Sequence, residues 1–262
     1  MTKNTLKKLI QCAVVFVALP LVIALGVTLL ADRQYMWVSV AVAVLACVPF
    51  FVAFERGRKT GRELVVIATM CAISVVGRLI FAPIPGFKPV TAVVLIAGMT
   101  LGAEAGFITG SMTALASNVF FGQGPWTPFQ MFAWGIVGFV AGLVFFGRRQ
   151  CGVVGLIVVG VLGGVAYSML MDVWTAVSLG NEFTWGKYWA SVIAALPVTA
   201  EYAVSNVVFL LLLYKPFYQK LTRIKQKYNV FQSSDEPIAA DIPPELTDAT
   251  TNEDTTETAH PN

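Results

Sequence analysis

The chain has one histidine, His260, close to its C-terminal end. Ser-His and Cys-His nucleophilic pairs are thereby excluded from everything before it, as are histidine-ligated metal and haem sites. Its four cysteines, Cys12, Cys47, Cys71 and Cys151, each lie in or at the edge of an apolar run with no paired spacing, and read as small packing residues. There is no G-x-x-x-x-G-K-[S/T] phosphate loop, so nucleotide hydrolysis by that route is excluded. An intramembrane Ser-Lys or paired-aspartate protease would need a buried lysine or a second aspartate in a span, and the spans carry neither. The chain is expected to bind rather than catalyse, with no cofactor and no metal ion. Charge is also scarce: 13% of the 262 residues, against about a quarter in a soluble domain.

What the sequence has in excess is hydrophobic residues, 56% of the total, and they are clustered. About 20 apolar residues at 1.5 Å rise cover the hydrocarbon core of a bilayer. Eight segments read as spans: Ile10–Leu30, Tyr35–Phe54, Leu64–Phe81, Val90–Leu101, Ala103–Phe120, Pro128–Phe146, Gly152–Ser178 and Tyr188–Tyr214. The fourth and fifth are short and joined by a turn at Leu101-Gly102-Ala103. The first follows Lys7 and Lys8 as a signal peptide would, but its run is too long for a signal core of about 7–15 residues, and it is read as retained.

With eight crossings both termini share one side. Fourteen lysines and arginines fall in the N-terminus and alternate connections, among them Arg56, Arg58, Lys59, Arg62, Arg148 and Arg149, against only Arg33, Lys88 and Lys187 in the other set. This bias places both termini in the cytoplasm. The net charge of +3 then belongs to cytoplasmic edges facing anionic headgroups, with no indication of nucleic acid.

Five parts follow: an N-terminal transmembrane hairpin over 1–54, a basic cytoplasmic linker over 55–63, a six-helix all-α membrane core over 64–214, a basic segment over 215–232, and a tail over 233–262. The tail holds eight acids and no lysine or arginine, a composition that buries too little apolar surface to fold.

Within the core, two Pro/Gly-rich loops, 82–89 and 121–128, fall on the outer side. The first reads Pro83-Ile84-Pro85-Gly86-Phe87-Lys88-Pro89. The second, Phe121-Gly122-Gln123-Gly124-Pro125-Trp126-Thr127-Pro128, is followed by Gln130 and Trp134 and preceded by Asn118. Prolines restrict and glycines bend such a loop, giving a fixed frame for amide and aromatic side chains. Trp126 alone fits a headgroup-level anchor equally well. Asn118, Gln123, Trp126, Gln130 and Trp134 as a set favour a small-molecule binding site.

Ionisable groups at membrane depth are functional candidates with a partner to be named. Arg78 lies about one turn from the outer surface, and Asp172 on span seven lies at roughly the same depth. They are expected to pair, although Arg78 can also snorkel to the headgroups and the pair can be purely structural. Glu201, near the middle of span eight, can be protonated and hydrogen-bonded. On span three, Ala68 and Ala72 are spaced four apart on one face, where small residues admit another helix.

The core resembles the substrate-binding S component of energy-coupling factor (ECF) vitamin transporters. The resemblance rests on Arg78-Leu79-Ile80-Phe81 followed by Phe87-Lys88-Pro89-Val90-Thr91-Ala92, on Gly106-Phe107 with Ser117-Asn118 after it, and above all on Gly122-Gln123-Gly124-Pro125-Trp126-Thr127-Pro128-Phe129-Gln130-Met131. It implies a subunit of a bacterial cell membrane importer with an outward-facing vitamin pocket beneath loop 82–89. Phe87, Asn118, Gln123, Trp126, Thr127, Gln130, Trp134 and Asp172 would serve that pocket, with Lys88 as a gate. Ala68 and Ala72 stand where the family docks onto its transmembrane T component, and two cytoplasmic ATPases drive toppling and release. The two extra N-terminal spans depart from the minimal family fold. Strings of this kind point first to cobalamin or another corrinoid, while riboflavin, pantothenate, folate or a queuosine precursor suit the same aromatic-plus-amide chemistry. Two other classes fit the residues: a secondary transporter in which Asp172 or Glu201 relays protons, and an assembly protein that takes no ligand.

Overall fold

The structure is a computed structural model that describes residue 51 and residues 60–147, 150–179 and 183–231. Apart from Phe51 and residues 60–63, the expected hairpin and linker lie outside the described residues, as does the acidic tail.

Among the described residues there are six helices: α1 Gly61–Ile80, α2 Val90–Leu101, α3 Ala103–Phe121, α4 Thr127–Phe145, α5 Val153–Ser178 and α6 Trp185–Tyr228. Each starts and stops for a local reason. Thr60 caps α1 in a reciprocal box with Glu63, whose Oε2 accepts the Thr60 N–H at 3.0 Å. The other carboxylate oxygen of Glu63 accepts the Phe231 N–H at 2.9 Å, tying the start of α1 to the end of α6. Gly102, at φ +102°, separates α2 from α3 with a conformation that a side chain disfavours. Pro128 enters α4 in its first turn, where a missing N–H costs nothing. The α6 helix is 44 residues long, about 66 Å, with Pro197 and Pro216 inside it and Asn229 closing it in the left-handed region.

The α2 helix is the centre of the molecule. All twelve of its residues are buried, and it packs against every one of the other five helices. Its length, about 18 Å, falls well short of a hydrocarbon core of about 30 Å. The α3 helix is long enough, but it carries buried Thr109, Ser111, Thr113, Ser117 and Asn118. Such a helix needs protein on its sides. The remaining four, α1, α4, α5 and α6, are long and apolar enough to cross a membrane.

Close packing at this centre depends on glycine. A methyl group on Gly106 of α3 would lie 2.7 Å from the Gly138 carbonyl carbon of α4, and one on Gly110 would meet the Gly135 nitrogen at 2.7 Å. Gly98, Gly106 and Gly110 therefore serve one purpose, admitting the backbone of α4 between Trp134 and Gly138.

Candidate functional site

The first loop reaches the start of the second at one aromatic ring, that of Phe121. The Lys88 ammonium lies 5.8 Å from the centroid of Phe121, and the Arg78 guanidinium lies 4.4 Å from the same ring. Loop 82–89 is held in place from α6. Its Lys88 N–H donates to Ser205 Oγ at 2.9 Å, and the Ser205 hydroxyl donates back to the Lys88 carbonyl at 3.0 Å. Phe81, Phe87 and Phe209 form a triangle of rings with centroids 5.0 to 6.0 Å apart. Gly86, at φ +66°, leaves room for the Glu201 side chain, which a methyl at Gly86 would strike. Partial burial, and secondarily the charge of Arg78, holds the Lys88 amine below its ordinary 10.5.

The second loop is knotted by Thr127. Its hydroxyl donates to Gln123 Oε1 at 3.0 Å and accepts from Asn118 Nδ2 at 3.0 Å and from the Gly124 N–H at 3.3 Å. Gln123 Nε2 in turn donates to the Leu115 carbonyl at 2.9 Å. Gln123 and Thr127 thus fasten their own loop. Trp126 lies over Gly124 and is 37% exposed.

Beneath the loops, Arg78 is buried and donates through Nη1 to Ser117 Oγ and, at 2.8 Å, to Asn118 Oδ1. The Trp134 ring lies 5.1 Å from the guanidinium on another side. Trp134 Nε1 donates to Thr91 Oγ1 at 3.2 Å, and its ring stacks on Tyr167. Gln130, one turn earlier on α4, donates from Nε2 to the Tyr167 hydroxyl at 3.1 Å, while its Oε1 is buried with no hydrogen bond. Tyr202 packs edge-on against Tyr167, with centroids 5.4 Å apart.

The expected ion pair between Arg78 and Asp172 is not formed. Arg78 is occupied by neutral acceptors because α1 packs on α2 and α3, whereas Asp172 sits on α5. Asp172 is buried, makes no hydrogen bond or ion pair with any described residue, and lies on the side of Tyr188 and Tyr202. Glu201 is exposed and packs on Gly86 rather than standing inside the bundle.

At the opposite end, Ala68 and Ala72 are exposed on α1. Beside them runs an apolar groove of about 650 Å³ between α1 and the last third of α6, lined by Val65, Thr69, Ile73, Phe217 and Ile224, with Arg62 and Lys220 on it.

Residues 58–229 match the model of a family described only as a family of unknown function (DUF6580). The chain belongs to that family. No curated protein matches the chain, and no solved structure does. The matched region takes in all six helices and leaves out residues 1–57 and 230–262. The family's residues therefore include the whole cluster around Arg78, both loops and the groove.

Phe121, Ser117, Thr91 and Ser205 have central places in this geometry that sequence reasoning misses. Ser205 had a signal, a small hydroxyl beside Asn206 in an otherwise apolar span. Phe121 had none, since an aromatic residue at a helix end reads as an interfacial anchor.

Proposed function

We propose that this protein is the solute-capture subunit of an ATP-driven vitamin importer, similar to the S components of ECF transporters. The observation that carries the reading is the approach of Lys88, in the first loop, to Phe121, which opens the second, beside a buried layer of Arg78, Asn118, Gln130, Trp134 and Tyr167. Aromatic walls with a few oriented polar groups are what a small-molecule site requires. In this reading the chain crosses a bacterial cell membrane eight times with both termini in the cytoplasm, and the loops face outward. A cobalamin-like corrinoid is the first solute to try. Exposed Ala68 and Ala72, beside the groove between α1 and α6, would receive the T component, and two ATPases would drive toppling. Mass spectrometry of small molecules that copurify with the chain, followed by calorimetry with a vitamin panel, tests the reading. A bound vitamin, with affinity weakened by Trp126→Ala, is expected; a panel without heat and a preparation without ligand would remove it.

One observation favours a second reading. Asp172 is buried on α5 without an ion pair, as a proton-carrying carboxylate would be. A secondary transporter built on it would move solute in liposomes under a pH gradient with this chain alone, which the capture reading forbids.

A further inference from the structure

We infer that the captured solute carries a carboxylate, and that Arg78 is the group that receives it. This inference rests on the capture reading and names its substrate class, an acid in place of cobalamin, whose side chains are amides. Both hydrogen bonds of the guanidinium leave from one terminal nitrogen, Nη1, to Ser117 and Asn118. No described residue accepts from Nε or Nη2, and no described carboxylate stands within ion-pair distance of either. Nε and Nη2 together are the edge of an arginine that takes a carboxylate through two parallel hydrogen bonds. Ser117 and Asn118 orient the group from behind, and the rings of Phe121 and Trp134 hold its plane at 4.4 and 5.1 Å.

Two further facts point the same way. Lys88 brings a second cation to the ring of Phe121 without an ion-pair partner among the described residues. Two like charges around one ring, in surroundings of low dielectric, are tolerable together when an anion joins them. Neither Asp172 on α5 nor Glu201 against Gly86 forms an ion pair with either cation. Second, the buried Oε1 of Gln130 is a hydrogen-bond acceptor with nothing to accept, which suits an N–H or O–H elsewhere on the solute. The stacked rings of Trp134 and Tyr167 wall the site on the side of α4 and α5.

The test uses the full chain in detergent and calorimetry with matched pairs of an acid and its neutral analogue: pantothenate and panthenol, nicotinate and nicotinamide, biotin and biotinamide. Riboflavin, cobalamin and inorganic phosphate complete the set. At least one acid should bind about ten- to hundredfold more tightly than its neutral partner. Arg78→Gln should erase that preference, so that the acid binds no more tightly than its neutral partner, and Arg78→Lys should restore part of it. Should Arg78→Gln fold poorly, the comparison of acid with analogue on the unaltered chain decides. Equal affinity within every pair, or binding of riboflavin or cobalamin alone, overturns the carboxylate assignment and leaves solute capture standing. Phosphate binding as tightly as the best acid overturns it in favour of a general anion site. No binding by any member overturns solute capture along with it.

Discussion

The ring of Trp134 on α4 lies nearly parallel to that of Tyr167 on α5, with 5.0 Å between centroids and 8° between planes. Each ring is fixed at its polar end, Trp134 by Thr91 on α2 and Tyr167 by Gln130 on α4. Three helices are thereby joined beneath the loops by groups that have no water to turn to. Tyr167→Phe keeps the stack and leaves Gln130 Nε2 without an acceptor, so it should cost about 0.5–1.5 kcal/mol. Trp134→Ala removes the stack, the Thr91 bond and one wall of the Arg78 site, and should cost about 3–5 kcal/mol. Thermal unfolding in detergent should rank the two in that order.

Gly138 provides a sharper test of the packing. An added methyl would lie 2.7 Å from both the Gly106 carbonyl carbon and Val94 Cγ1, and the first of these is backbone that cannot turn aside. Gly138→Ala should destabilise by about 1–3 kcal/mol and lower the yield of monodisperse protein. Gly61→Ala, where a methyl meets nothing within 4 Å, is the matching control and should leave both unchanged. Equal melting temperatures for the two variants would contradict the close approach of α3 and α4.

Much of this architecture is legible in the sequence, and the illegible part has a common cause. The break at Gly102 and the limits of α2 and α5 follow from hydropathy and one flexible residue. The loops are marked by their prolines and glycines. The partner of Arg78 was not legible, because equal depth along a membrane normal says nothing of azimuth. Asp172 is expected at the depth of Arg78 but sits on α5, which has no extensive packing with α1, while Asn118 comes from α3, which has. The hydrogen bonds of Gln123 were illegible for a related reason. An amide in a loop can face a ligand or its own backbone, and here it donates to Leu115.

Lys88 gives a pH-dependent signal. Burial first, and the charge of Arg78 second, favour its neutral amine in the folded chain. The folded value is thus below the unfolded 10.5, so the cost of keeping Lys88 charged is fully present below the folded value. That cost is relieved as pH rises through it, and this group's contribution to stability improves with pH across the window between the two. Amine labelling followed by mass spectrometry of the Lys88 peptide should show a midpoint below 10.5. Arg78→Gln should move that midpoint upward only in part, because burial, the larger cause, persists. A full return to the ordinary value would mean that charge repulsion alone sets it.

Glu63 joins the two ends of the six-helix unit, accepting from Thr60 at one oxygen and from Phe231 at the other. Glu63→Gln retains one acceptor and loses the charge at the helix N-terminus, whereas Glu63→Ala loses both bonds. Stability should fall by about 1 kcal/mol for the first and about 2 kcal/mol for the second. Thr60→Ala should cost less than Glu63→Ala, since the Phe231 bond survives it. Denaturation curves for the three variants check the order, and identical midpoints would mean that the α6 terminus is held by other contacts.

In the capture reading, Ala68 and Ala72 separate docking from solute binding. Both are exposed on α1, so Leu at each position is accommodated without displacing anything in the described core. Small residues four apart matter when a second helix must approach closely, and the larger side chain would hold such a helix away. The double variant should therefore melt within about 0.5 kcal/mol of the parent and bind solute with the parent's affinity. Uptake by cells should nevertheless fall by about tenfold or more, as a loss of roughly 1.4 kcal/mol in docking implies. Unchanged uptake would show that this face of α1 meets lipid alone, and any partner would then have to be sought along the groove that Phe217 and Ile224 form with Ile73.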